Sequence, residues 1–141
     1  MRSVTNAGGV LTHEDLASYE IDVVEPIVHD VGGAAVLAMP PPSSGGVAIA
    51  QVLDLAERLE LDMPATGWPD EQAVHLLAES LKHAFADRSR SMGDPRFTPV
   101  PIERMLAASS LERMARAIEV DRTQPTARYG SAAPISEDGG T

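Results

Sequence analysis

His75, Glu79 and His83 fall at i, i+4 and i+8, so on a helix they share one face. Two imidazoles and a carboxylate are metal ligands, and a metal-binding helical domain is one reading of them. The spacing departs from the His-Glu-x-x-His zinc motif, which sets its histidines four apart. The same stripe carries Lys82 and runs mostly opposite the apolar positions of its segment. A solvated or semi-buried polar face accounts for it more simply, and no metal is expected. Asp87-Arg88 offers a carboxylate beside a guanidinium, a pair that could act in catalysis. Such a pair is more often an ion pair locking a helix end to a loop, and that reading is preferred, with Arg88 reaching Asp94 or a backbone carbonyl. Ser43-Ser44-Gly45-Gly46 at a helix start could hold an anion on backbone N–H groups. It matches neither the Walker nor the dinucleotide pattern. Capping by the serines and tight packing at the glycines explain it without a ligand. Arg104, Arg113, Arg116 and Arg122 are scattered over acidic helical segments and read as ordinary surface charges.

The elements that must position these groups follow from pattern. Thr12-His13-Glu14-Asp15 has the form of a capping box, flanked by Leu11 and Leu16 at the staple positions, and predicts a short helix over residues 13–18. Residues 20–25 are rich in β-branched side chains and predict a strand that Pro26 ends. Residues 28–31 and 34–39 predict a hairpin turned by Gly32-Gly33. Its second arm is almost wholly apolar and is expected to be buried on both faces. Pro40-Pro41-Pro42 stops that strand and feeds a helix over residues 45–60, whose apolar stripe is Ile49, Val52, Leu53, Ala56 and Leu59. A longer helix over residues 70–89 would turn Val74, Leu77, Ala78, Leu81, Ala84 and Phe85 to the core. Gly93-Asp94-Pro95 is a turn, and Pro101 opens a short helix through Leu106. Ser109 or Ser110 caps a last helix with the stripe Leu111, Met114, Ala115 and Ile118. Residues 123–141 hold few large apolar side chains and predict a mobile tail. Three strands followed by a helix layer are too little for a closed sheet and predict part of a larger α+β layered domain.

Composition narrows the function classes. A chain of 141 residues fits one domain or a large piece of one. Hydrophobic residues make up 43% and aromatics 4%, so a core must come from Ala, Leu, Val, Ile and Met. A formal net charge of −10 speaks against phosphate-backbone binding to nucleic acid and against anionic membrane surfaces. The absence of cysteine excludes disulfides, thiolate catalysis and Cys-based zinc sites, without setting a compartment. No apolar run reaches the ~18 residues of a membrane span. The first six residues lack the apolar core of a signal peptide. Location is left open: periplasmic or extracellular if a longer parent carries a signal, cytoplasmic otherwise.

Several blocks, taken in order and spacing, resemble the gamma-glutamyltranspeptidase family (gamma-glutamyltransferase, glutathione hydrolase). They are Gly8-Gly9-Val10-Leu11-Thr12 with Asp15-Leu16 and Tyr19; Met39-Pro40-Pro41-Pro42-Ser43-Ser44-Gly45-Gly46; and residues 51–57. They continue with His75, Glu79, Lys82 and Ala86-Asp87-Arg88, then Gly93-Asp94-Pro95, Phe97 and Val100-Pro101. The resemblance implies the four-layer αββα sandwich of N-terminal nucleophile hydrolases. It implies a precursor that cuts itself into a large and a small subunit, just before a Thr that then acts as nucleophile.

Residues 1–120 would be part of the large-subunit domain, and residues 121–141 a flexible tail leading to the autoprocessing site. Thr141 is then the candidate nucleophile, provided the parent continues with Thr-His. The implied substrate is a γ-glutamyl small molecule and the implied partner is the small subunit of the same precursor. No metal or organic cofactor is implied. The family's oxyanion-hole glycines lie in the small subunit, and the arginine that grips the glutamate α-carboxylate lies upstream; Arg2 is too near the start to replace it. The chain alone is therefore expected to be inactive. The alternative is a truncated, catalytically inactive paralogue acting as a structural or interaction domain.

Overall fold

A computed structural model of the chain describes residues 2–62, 64 and 66–129. Thr141 and the Gly139-Gly140 pair before it lie outside the described residues. A short helix α1 (Arg2–Asn6) leads to α2 (His13–Ala17), which begins with the expected capping box. The Thr12 N–H donates to Asp15 Oδ2 at 2.6 Å, and the Asp15 N–H donates to Thr12 Oγ1 at 3.1 Å. Two helix-end donors are thus satisfied reciprocally.

Residues 20–25 form no strand, contrary to their pattern, and Ile21 and Val23 are exposed. A β-branched run becomes a strand only where a neighbour offers a ladder, and among the described residues none pairs with it. The hairpin does form, as β1 (Ile27–Val31) antiparallel to β2 (Ala34–Ala38), in the register Ile27↔Ala38 to Val31↔Ala34. Gly32 and Gly33 take φ of +59° and +79°, the paired left-handed conformation that a two-residue turn needs. The Gly32 N–H donates to Glu57 Oε2 at 2.9 Å, pinning the turn to the helix beneath. The second arm is not buried on both faces: Ala34, Ala35 and Leu37 are exposed, because only one side of the ribbon has a helix against it.

The helix layer is α3 (Gly45–Arg58), α4 (Glu71–Ser91), α5 (Ile102–Met105) and α6 (Ala108–Ala117). Asp70 caps α4, accepting from the Ala73 N–H at 2.7 Å. Neither proposed serine caps α6, because the helix starts one turn earlier, after Ala107, and Ser110 is buried inside it. Leu111 and Ile118 of the expected α6 stripe are buried. The small apolar centre is Ile27, Val47 and Met105, backed by Met92, Ile102 and Leu106.

The two long helices do not bury the stripes expected of them, Ala84 of α4 excepted. In α3 the buried residues are Gly46, Val47, Ala50, Gln51, Asp54 and Leu55, while Ile49 and Leu53 face outward. In α4 they are Ala73, Leu76, Glu79, Ser80, Ala84 and Asp87, while Val74, Leu81 and Phe85 face outward. Small and polar side chains let α3 and α4 approach each other closely, and the bulky apolar stripes are left uncovered.

Candidate functional site

The Pro-Ser-Gly corner and the end of α4 are separate in sequence and meet in space. The Pro41–Pro42 peptide bond is cis, and the chain turns from it into α3. Ser44 stands at the N-cap with φ −86° and ψ −12°, outside the extended conformation in which a cap hydroxyl reaches back, and it makes no cap bond. The expected capping by the serines is therefore replaced: Ser44 Oγ accepts from Arg88 Nε at 2.7 Å, and Ser43 Oγ accepts from the Gly45 N–H at 3.4 Å. Gly46 is needed for contact. A Cβ there would sit 2.1 Å from the Met39 carbonyl oxygen.

Asp87 and Arg88 do not pair with each other. Arg88 goes to Ser44, not to Asp94, which is held by Arg96 at 2.7 Å. Asp87 turns inward and is buried, where Gln51 Nε2 donates to its Oδ2 at 2.9 Å. The same Gln51 amide donates to the Met105 carbonyl at 3.1 Å, so one side chain ties α3, α4 and α5. Arg90 and Arg104 stand 3.7 Å and 3.9 Å from Asp87 Oδ1 at the mouth of this pocket. A buried carboxylate is tolerated because a charge-assisted hydrogen bond and two cations compensate its lost hydration.

The His75–Glu79–His83 face is more buried than its pattern suggests. Glu79 is fully buried, because residues 123–129, ending in a 3-10 turn (Thr126–Tyr129), lie over this side of α4. Thr123 and Lys82 donate to Glu79 Oε1 at 2.7 Å and 2.6 Å, and the Tyr129 hydroxyl donates to Glu79 Oε2. Lys82 also donates to the Gln124 carbonyl at 3.0 Å, and Arg90 to the Tyr129 carbonyl. Burial pushes the Glu79 carboxyl up, but the hydrogen bonds from Lys82 and Thr123 outweigh it and hold it below its ordinary value. His83 presents its ring edge-on to Tyr129, centroids 4.4 Å apart. His75 Nε2 instead meets the Glu119 carbonyl at 2.8 Å. The three side chains thus serve three different contacts, and among the described residues no group of three or more His, Asp or Glu converges as a metal site would require.

Of residues 123–129, the start of the expected tail, Gln124 and Tyr129 are buried and the other five are exposed. No role was read for Gln51, Thr123 or Tyr129 from the sequence. Gln51, inside the 51–57 block, had the signal of a polar residue amid the apolar positions of a helix; Thr123 and Tyr129 had none. Beside the covered face, an open groove of about 370 Å³ runs between Leu81, Phe85 and Thr126.

What these locks can do chemically is hold a corner and a chain end in place. The described part brings no nucleophile together with a base and an oxyanion donor, the constellation acyl transfer needs. Comparison with known proteins supplies the context. The chain belongs to the gamma-glutamyltranspeptidase family, whose model matches residues 1–141. It is 38% identical over 133 residues to the glutathione hydrolase proenzyme of Escherichia coli K12, covering 93% of this chain and 23% of that protein. It is 46% identical over 99 residues to the acylase ACY 1 proenzyme of Pseudomonas sp. V22, covering 70% of this chain and 17% of that one. The gamma-glutamyltranspeptidase of Pseudomonas nitroreducens, solved with L-DON, superposes with a TM-score of 0.79 at 30% identity, over 91% of this chain and 38% of that one. The Helicobacter pylori gamma-glutamyltranspeptidase gives a TM-score of 0.78 at 31% identity, over 99% and 40%. The chain thus spans about a sixth to a quarter of the length of such curated relatives. Its fold is α+β and forms part of the N-terminal nucleophile hydrolase architecture, to which the described residues bring a hairpin and a helix layer.

Proposed function

We propose that this chain is the C-terminal part of the large subunit of a gamma-glutamyltransferase. The complete enzyme would cleave the γ-glutamyl amide of glutathione or a related compound and pass the group to water or an amine. Residues 1–120 would belong to the large-subunit domain and residues 121–141 would lead to the processing site. The observation carrying this reading is the family match, which runs through to Thr141 while the chain spans only a fraction of its proenzyme relatives. The uncovered stripes of α3 and α4 support it, since the small subunit of the same precursor is a natural cover for them.

In this reading Thr141 is the nucleophile. A Thr hydroxyl is weak at neutral pH and needs a base; scission before Thr141 would free its α-amine to be that base. The amine takes the hydroxyl proton while Oγ bonds to the γ-glutamyl carbonyl carbon. The amide C–N bond breaks, and the proton passes to the departing amine. Water or an acceptor amine then attacks the ester, Oγ leaves and regains its proton. The Ser44–Arg88 and Gln51–Asp87 locks would keep the corner rigid beside this chemistry. The reaction calls on no metal or organic cofactor.

The test is the full-length precursor with and without Thr141→Ala. Wild type is expected to yield a fragment beginning at Thr141 and to hydrolyse γ-glutamyl-p-nitroanilide. The variant should stay uncut and lose more than about 10³-fold in rate. Full activity in the variant, or an inert wild type, would overturn the reading and leave a structural paralogue.

A further inference from the structure

Both oxygens of the buried Glu79 carboxylate are spent on the last described stretch of the chain. Thr123 donates to Oε1 at 2.7 Å and the Tyr129 hydroxyl donates to Oε2. Lys82 completes the grip, donating to Glu79 Oε1 at 2.6 Å, Thr123 Oγ1 at 2.7 Å and the Gln124 carbonyl at 3.0 Å. Arg90 donates to the Tyr129 carbonyl, and His83 packs edge-on against the Tyr129 ring. A carboxylate with no exposed surface is costly to bury, and here nearly every compensating partner comes from residues 123–129 or from the lysine that also holds them. α4 also packs against α3 and α6, away from this arrangement.

We propose that Glu79 is a positioning residue for self-processing: it clamps residues 123–129 to α4 and so sets where the segment bearing Thr141 starts. This rests on the reading that the Gly140–Thr141 bond is the one cut. That step adds water across the bond, leaving a carboxylate on Gly140 and an amine on Thr141. With the clamp closed, twelve residues separate the anchor at Tyr129 from Thr141. With it open, the next anchor back is the Glu119 carbonyl held by His75 at 2.8 Å, twenty-two residues away. Opening the clamp thus sets the last fixed point ten residues further from Thr141, and a longer span lowers the chance that the bond meets a fixed site.

The experiment uses the full-length precursor made by pulsed cell-free synthesis, with the uncut-to-cut conversion followed by gel and the new N-terminus read by mass spectrometry. Glu79→Gln, Thr123→Val and Tyr129→Phe are compared with wild type. Folded fraction is measured by circular dichroism with each substitution placed on Thr141→Ala, where cutting cannot interfere. The triple combination with Glu79→Gln, which opens the whole clamp, should slow scission about twofold or more at unchanged folded fraction. Tyr129→Phe or Thr123→Val alone, each leaving part of the clamp closed, should slow it less. Hydrolysis per cut molecule should not change. Scission at the wild-type rate, or slowed only in proportion to lost folded protein, overturns the clamp. A wild type that yields no fragment starting at Thr141 overturns both the clamp and the reading it rests on; a wild type that cuts while the variants match it overturns the clamp alone.

Discussion

Gly46 shows how one residue decides a corner. It sits in the first turn of α3 against Met39, just past β2; the Met39 carbonyl oxygen would lie 2.1 Å from any Cβ at this position. The obstacle is backbone on both sides, so no rotamer change relieves it. Gly46→Ala should therefore destabilise the protein by ~2–3 kcal/mol, measured by denaturant unfolding, since overpacking of a tight contact costs that order. The neighbouring serines behave otherwise. Both suit a helix cap by type, yet the αR conformation at Ser44 leaves its hydroxyl free for Arg88. Residue type alone made the corner legible, and the partner of each hydroxyl was settled by what α4 brings alongside.

At the scale of elements, the pairing of α4 with residues 123–129 carries a pH dependence whose sign can be worked out. Burial pushes the His83 imidazole down; the Glu79 carboxylate opposes this and the Arg90 guanidinium adds to it. A histidine whose folded pKa is depressed contributes stability that is whole above its unfolded value, about pH 6.5, and declines as pH falls below it. Glu79 is also held below its ordinary value, after burial that raises it is outweighed by Lys82 and Thr123, so its contribution is lost as pH falls further, through its folded pKa. The two act in the same direction. Hydrogen exchange of residues 123–129, corrected for the intrinsic rate, should show protection falling between pH 7.5 and 5, with His83→Phe abolishing that fall. Flat protection across that range would contradict the assignment. The positions of α2 to α5 were read correctly to within a few residues, while α1 was missed and the serine caps of α3 and α6 were misplaced. The inward faces of α3 and α4 were largely misread, unlike that of α6, because periodicity marks an apolar stripe without saying which partner covers it.

For the whole molecule, that difference is informative. Ile49, Leu53, Val74, Leu81 and Phe85 lie at 39–55% exposure while Gln51, Glu79 and Asp87 are buried. A self-sufficient domain would do the opposite. The hairpin is the only sheet among the described residues, so its outer edges are unpaired as well. The isolated chain is therefore expected to associate: sedimentation velocity should show weight-average mass rising with concentration, and an apolar dye should bind. A compact monomer that ignores the dye at every concentration would contradict this.

The amino-acid sequence by itself determined the family, the hairpin, the order of the helices and the corner at Pro40 to Gly46, because each rests on local stereochemistry or on collinear blocks. Only the tertiary structure decided that α3 and α4 meet through their small and polar sides, that Gln51 joins Asp87, and that Glu79 is sealed by residues 123–129. It also removed the strand over residues 20–25. Those outcomes depend on which surfaces lie opposite one another. Burying a carboxylate or leaving a leucine in water is decided by the neighbour across the gap, which no local pattern contains.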